Sequence, residues 1–351
     1  MDSKAENKSN WFSERVPIDL EGLKHMTNEP VPNHLKRWWF ALGGTPAYLF
    51  TVQLVTGILL TFYYVPTPEA AYSSVAAITN EVRFGWFIRG IHMWSANLMV
   101  VAVILHMSRV FFTGAYRKPR EMNWIIGVCI LLVTVTFGFT GYSLIYEQLS
   151  YWAATVGTNI AEGVPLIGPM MASFIRGGDE IGANTLTRFF VLHIGVLPTV
   201  MFILIAVHVF FIRTQGVTEF KFEEQAEEKE ETFPFFPNHL LTELIIGLLL
   251  MYILTMLVVI FPPEMHEAAN PLVTPEHIKP EWYFYASFRW LKINSFTVGI
   301  VGQIFAVVAI MAWPWIDKIF RRKNPNSEIS IFIGIIGFLF FLVLTIWEAM
   351  V

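Results

Sequence analysis

Charge and cysteine are what this 351-residue chain has least of. Only 15% of its residues are Asp, Glu, Lys or Arg, against 54% hydrophobic, and the mean hydropathy is +0.52. That balance is too apolar for an ordinary water-soluble domain, and 31 Phe with 12 Trp exclude a disordered chain. The single cysteine, Cys129, excludes a disulfide framework, a C-x-x-C pair for an iron–sulfur cluster and the C-x-x-C-H attachment of a c-type haem. Any metal has to be held by other side chains. Lying in an apolar run, Cys129 reads as a small buried hydrophobe. An excess of positive charge is missing too. The net charge is −4, but Glu219 to Glu231 holds seven Glu against two Lys, so the remainder carries about +1 and leaves no footprint for nucleic acid.

In place of charge there are long uncharged runs, at 38–68, 90–108, 122–146, 189–212, 244–263, 293–316 and 329–347. Each is long enough to cross hydrocarbon as a helix, which predicts an all-α integral membrane protein with seven spans. Two shorter apolar stretches, 148–161 and 163–175, are broken by Gly and Pro and are expected to lie at the surface between the third and fourth spans. Residues 1–37 carry six Lys or Arg and no apolar core, so a cleavable signal is not expected and the first span would insert itself. With the N-terminus in the cytoplasm, 17 of the 24 Lys and Arg fall on the inner side, which sets the orientation and puts the C-terminus outside. The acidic run then lies in an inner loop and reads as a solvated tether. The expected organisation is an interfacial segment at 1–37, a four-helix bundle at 38–216, an acidic linker at 217–237 and a three-helix region at 238–351.

Four of the nine histidines lie inside spans, His92 and His106 on the second, His193 and His208 on the fourth. Ionisable groups at that depth are costly and need a partner. Intervals of 14 and 15 residues return near to one helix face, about 21 Å apart at 1.5 Å per residue. The second and fourth spans run in the same direction, so His92 levels with His193 and His106 with His208. Opposed imidazoles give a haem iron two axial ligands and no open position, which suits electron transfer; the pattern predicts two stacked, non-covalent b-type haems. Gly43 and Gly57 on the first span and Gly127 and Gly141 on the third repeat the 14-residue interval. Glycines let a flat ring approach the backbone, so these four are expected to flank the haems.

Arg-Gly-Ile-His at 89–92, the four histidines and glycines, Gly-Tyr-Ser-Leu at 141–144 and Pro-Glu-Trp-Tyr-Phe at 280–284 together resemble cytochrome b of the cytochrome bc complexes. The 15-residue interval on the fourth span, the seven spans and Phe-Gly-Trp-Phe-Ile-Arg at 84–89 look like cytochrome b6 fused to a subunit IV-like C-terminal half. The likeness stops short of a covalently held third haem, because Trp38-Trp39-Phe40-Ala41-Leu42 stands where b6-type chains have a cysteine. Ile145-Tyr146-Glu147-Gln148 also departs from the usual Pro-Trp sequence, and Met93 replaces an arginine after the first ligand.

The resemblance implies a catalytic subunit of a quinol–cytochrome c type oxidoreductase in a bacterial inner membrane. Quinol would be oxidised at the outer side on Pro280, Glu281, Trp282, Tyr283 and Phe284, with Glu281 and Tyr283 as catalytic candidates. Quinol oxidation releases two protons and two electrons, and Glu281, buried among aromatics, suits the proton acceptor. One electron would go to a Rieske-type iron–sulfur protein and on to a cytochrome c-type subunit, the other across both haems to a quinone at the inner side. A homodimer within a multisubunit complex, embedded in lipid, is implied as well. Arg89 on the outer side and Arg213 on the inner side are candidate partners for haem propionates; Lys36, Arg37 and Arg109 are further inner cations. Two other readings stay open on the residues alone: a two-haem anchor passing electrons for a dehydrogenase, and a haem-free proton-coupled transporter using the histidines as a relay.

Overall fold

In hydrocarbon a backbone has to satisfy its own hydrogen bonds, and the uncharged runs accordingly become helices. The computed structural model describes residues 30–32, 42–216, 232–234, 237 and 240–351. In chain order the helices are α1 (Gly44–Thr61), α2 (Ala71–Asn80), α3 (Gly85–Phe112), α4 (Glu121–Ser143), α5 (Gln148–Glu162), α6 (Gly168–Arg176) and α7 (Ala183–Val191). A π turn at Leu192–Val196 leads into α8 (Leu197–Gln215), followed by α9 (Leu240–Ile260). A 3-10 turn at Trp282–Phe284 then opens α10 (Tyr285–Ile293), and α11 (Phe296–Met311), α12 (Trp313–Lys323) and α13 (Ile329–Met350) complete the chain. The two surface stretches expected between the third and fourth spans are α5 and α6.

Among the described residues, six helices are long and apolar enough to cross a membrane: α1, α3, α4, the continuous α7–α8 rod (Ala183–Gln215), α9 and α13. The sixth run of the sequence, 293–316, departs from the expected single span. It breaks after Met311, and α11 and α12 meet at 63°. Pro314 in the first turn of α12 has no N–H to continue α11. At 1.5 Å per residue the 16 residues of α11 cover about 24 Å, short of the ~30 Å hydrocarbon core. The three C-terminal spans are therefore two straight rods and one bent pair.

The chain divides into two compact units, Met1–Ala41 with Lys221–Leu250, and Leu42–Phe220 with Met251–Val351. In the first, Pro30–Pro32 (β1) pairs antiparallel with Thr232–Pro234 (β2), Val31 opposite Phe233. This is a small departure from an all-helical chain, kept short by three prolines that cannot donate to the ladder. The interfacial segment 1–37 and the acidic linker 217–237 otherwise lie outside the described residues, as do Lys36, Arg37 and the stretch Trp38–Ala41.

The core of the second unit joins Leu49, Phe50 and Val52 of α1 to Ile91, Met99, Ala102 and Val103 of α3, Met201 of α8, and Leu254 and Val258 of α9. Small residues set the helix approaches: a Cβ on Gly90 of α3 would stand 2.5 Å from a Val258 methyl of α9. Beside the end of α3, Phe111, Tyr116, Trp124 and Trp313 pack with ring centroids 5.3–6.1 Å apart. Each such pair contributes about 0.5–1.5 kcal/mol beyond area burial. Arg117 bonds the buried Asp317 at 2.9 Å and Ser330 donates to it at 2.6 Å, so this end is locked by charge as well. On α13 the apolar side chains of Phe332, Ile336 and Val343 are exposed, whereas Ser330, Leu344 and Glu348 are buried.

Candidate functional site

α3 and the α7–α8 rod bring the four membrane histidines together in two pairs. The ring centroids of His92 and His193 are 6.3 Å apart, those of His106 and His208 6.4 Å. Two imidazole nitrogens on one metal, each about 2 Å from it, put the ring centres ~6.3 Å apart. Both pairs have the spacing of a bis-imidazole site. Unequal sequence intervals reach this equal geometry through the π turn at Leu192–Val196, which contains His193. A π turn takes up one extra residue, so 15 positions here cover about the rise of 14 on α3. Pro198, in the first turn of α8, leaves a carbonyl of the preceding turn without its usual donor, the local reason for the irregular turn.

The His92–His193 pair is keyed by threonines that sequence reasoning missed. Thr56 Oγ1 lies 2.9 Å from His92 Nδ1, and Thr140 Oγ1 3.0 Å from His193 Nδ1. Each hydroxyl already donates its one hydrogen to its own helix, Thr56 to the Val52 carbonyl at 2.7 Å and Thr140 to the Thr136 carbonyl at 2.9 Å. Each therefore accepts from Nδ1–H, and that tautomer leaves Nε2 with a lone pair for a ligand. Gln53 adds bonds to the His92 carbonyl and to Ser95, both at 2.6 Å. The His106–His208 pair has no such key. Nδ1 of His106 and of His208 is buried without a hydrogen bond of normal geometry, although the Asn123 carbonyl lies against His208. The signal in the sequence was a repeated Thr-Gly, at 56–57 and 140–141.

Three of the four glycines stand against these rings. A Cβ on Gly57 would lie 3.3 Å from His92 Cε1, on Gly141 2.7 Å from His193 Cε1, and on Gly127 3.7 Å from His208 Cε1. Gly43 is the exposed N-cap residue of α1. Arg89 donates to Thr79 Oγ1 at 2.9 Å and to the carbonyls of Pro263 and Glu264 at 3.4 and 3.1 Å. It thus ties α3 to the loop after α9 one turn above His92. Arg213 is exposed in the last turn of α8, while Arg109 is half-buried within electrostatic reach of His106.

Pro280–Phe284 packs against α3 and α4 beside the His92–His193 pair. Trp282 donates its indole N–H to Asn97 Oδ1 at 2.6 Å, five residues along α3 from His92. The Tyr283 hydroxyl lies against the backbone at Gly138, where any Cβ would collide with it. Gly138 is one turn from Gly141, so one face of α4 touches both the motif and the His193 ring. Phe284 meets Phe139 edge-on at 6.5 Å. Burial raises the Glu281 carboxyl above its ordinary range, and the Tyr283 phenol is raised by burial and then by Glu281. Tyr142 of α4 is within electrostatic reach of Glu281. On the far side Glu147 is buried. It accepts from the His266 N–H at 3.0 Å and, with the Gln148–Glu267 and Asn270–Gln148 bonds, stitches the start of α5 to the loop after α9.

A family model for cytochrome b/b6/petB matches residues 26–216, and a second, for cytochrome b(C-terminal)/b6/petD, matches 268–351. The chain belongs to the cytochrome b/b6 family. A cytochrome bc complex cytochrome b subunit of Chlorobaculum thiosulfatiphilum is 37% identical over 349 residues, 98% of this chain and 81% of that protein. Cytochrome b6 of Heliomicrobium gestii is 47% identical over 209 residues, 60% of this chain and 98% of its own length. A chain of a solved hyperthermophilic respiratory Complex III superposes with a TM-score of 0.78 at 26% identity, covering 97% of this chain and 98% of that one. As a cytochrome b, the protein is an integral membrane, haem-binding protein of electron transport. Its residues fit that group: two buried imidazole pairs at bis-ligand spacing, a tautomer that frees Nε2 in the His92–His193 pair, and glycines where side chains would meet the rings.

Proposed function

We propose that this cytochrome b is the core subunit of a quinol–cytochrome c type oxidoreductase, binding two non-covalent b haems and oxidising quinol at the outer face. The observation that carries this reading is the packing of Glu281–Phe284 on α3 and α4 within a turn or two of the His92–His193 pair. His92 with His193 would hold the outer haem iron and His106 with His208 the inner one. When bound, the two haems supply an electron path between the membrane faces. Arg89 and Arg213 are the candidate cations for their propionates.

The protein's own residues handle the substrate and its protons. Trp282, fixed by Asn97, and Tyr283, seated on Gly138, hold the reaction loop against the bundle and exclude water. Glu281, whose affinity for a proton burial raises, accepts in its ionised form a proton from the quinol hydroxyl and returns it to the outer aqueous phase. A Rieske-type protein accepts the first electron and a cytochrome c-type subunit takes it onward. The second crosses to a quinone on the inner side, so a proton gradient builds across the bacterial cell membrane. Residues 38–216 act as the haem bundle and 238–351 as the half carrying the quinol loop, in a homodimer within the larger complex.

A haem count with redox titration on the purified complex, plus quinone extraction, tests the reading. Two haems with distinct midpoints are expected, whereas a spectrum without haem would return the histidines to a proton relay. The glycines give a second, differential test. Gly141→Ala puts a Cβ 2.7 Å from His193 and should lower outer-haem occupancy, at an overpacking cost of about 1–3 kcal/mol. Gly127→Ala, with 3.7 Å available, should keep both haems. Equal occupancy in the two variants would remove the glycines from the site.

A further inference from the structure

One buried charge in the membrane-spanning part is not used by the reading above. Glu348, in the last turn of α13, is 0% exposed. Its carboxylate accepts from Lys292 Nζ at 2.5 Å and pairs with Arg289 Nη1 at 3.6 Å. Both cations belong to α10, the short helix that continues directly from Trp282–Phe284. Each is braced by an aromatic ring: the Arg289 guanidinium lies 3.9 Å from the Trp347 ring centre, and Lys292 Nζ 4.3 Å from that of Phe288. An isolated carboxylate so buried would be very costly, and two cations brought to it from one neighbouring helix offset that cost only in a fixed geometry. Between this cluster and Glu281 lies Tyr285, whose phenol is raised by burial and then by both Glu281 and Glu348.

We infer that Glu348 is a positioning residue for quinol oxidation: by gripping Arg289 and Lys292 it fixes α10, and so holds Glu281 in place. The loop is then held at two ends, by Asn97 and Gly138 at Trp282 and Tyr283, and by Glu348 two turns further along α10. Glu348 touches no substrate in this scheme and acts only through Glu281. The inference rests on the proposed role of Glu281. A carboxylate displaced by an ångström from its reacting hydroxyl loses rate far more than binding, so the expected effect is on kcat.

The test uses the whole complex purified with Glu348→Gln, Glu281→Gln or both, assayed with a short-chain benzoquinol. Glu348→Gln should keep both haems and lower kcat about ten-fold, with KM within about two-fold of the unaltered chain. In the double variant kcat should fall no further than in Glu281→Gln alone, because residues acting through one group are not additive. A purely structural role would add to the loss or strip haem. Glu348→Asp, which keeps the charge, should recover most of the rate and replaces Glu348→Gln if that chain does not assemble. Unchanged kcat in Glu348→Gln, additive losses, or haem loss in Glu348→Asp would each overturn the inference. A normal rate in Glu281→Gln would instead overturn the reading of Glu281 itself.

Discussion

His92→Leu or His193→Leu should leave one haem of two and abolish electron entry from quinol, whereas His106→Leu or His208→Leu should remove the other haem and spare the outer site. The two members of a pair should behave alike, because each ring stands opposite its partner, at 6.3 or 6.4 Å. Leucine is close to histidine in volume and suits hydrocarbon, so the helices should still pack, and the effect isolates the ligand rather than the fold. Losses should be near complete: an iron bound through one imidazole loses half its protein ligation and the opening left is apolar. Haem content by pyridine haemochrome and a redox titration decide it. Two fully occupied haems after any single change, or His92→Leu removing the haem that His208→Leu also removes, would break the pairing. The outer pair should also hold its haem more firmly than the inner, since Thr56 and Thr140 fix its Nδ1 protons and the inner pair has no such bonds. Partners of that kind are commonly worth 10- to 100-fold in ligand affinity, by analogy with metal sites.

The pairing was legible because depth and helical phase depend only on residue count and chain direction, both of which a sequence states. Charge-free runs located the spans for the same reason. Local irregularity was not legible. The π turn at 192–196 changes the meaning of the interval between His193 and His208, and Pro198 alone does not say that a turn will widen rather than kink. Likewise the run 293–316 contains no charge, yet Pro314 ends α11 and turns α12 by 63°. Contacts made at long sequence separation were beyond reach altogether. Asn97 meets Trp282 across 185 positions, and Lys292 meets Glu348 across 56. Nothing in the local sequence of either partner marks the other. Thr56 and Thr140 fall between these cases: the repeated Thr-Gly was visible, but a threonine in a membrane helix ordinarily bonds only its own i−4 carbonyl. Here both do so, and only the direction of that bond shows that each must accept from the neighbouring histidine.

Glu281→Gln should lower kcat for quinol oxidation by about 10²-fold or more while leaving both haems and the inner side intact. The amide keeps the size and hydrogen-bonding reach of the acid but cannot take a proton, and neither oxygen nor nitrogen can be charged by it. The sign of the pH dependence follows from burial, which raises the Glu281 carboxyl above its ordinary range. The carboxyl is protonated, and so unable to accept, below that raised pKa, and becomes competent as pH rises through it. The rate at the outer site should therefore climb with pH along a limb set by Glu281, displaced upward from that of an exposed glutamate. That limb should vanish in Glu281→Gln. Tyr283→Phe separates proton handling from packing. Its phenol is itself raised, by burial and by Glu281, so it stays protonated across the working range and cannot be the base. Losing its hydroxyl from Gly138 should loosen the loop and raise KM by several-fold while the pH limb persists. A limb that survives in Glu281→Gln and disappears in Tyr283→Phe would assign the proton to the wrong residue here, and with it the chemistry of the whole outer site.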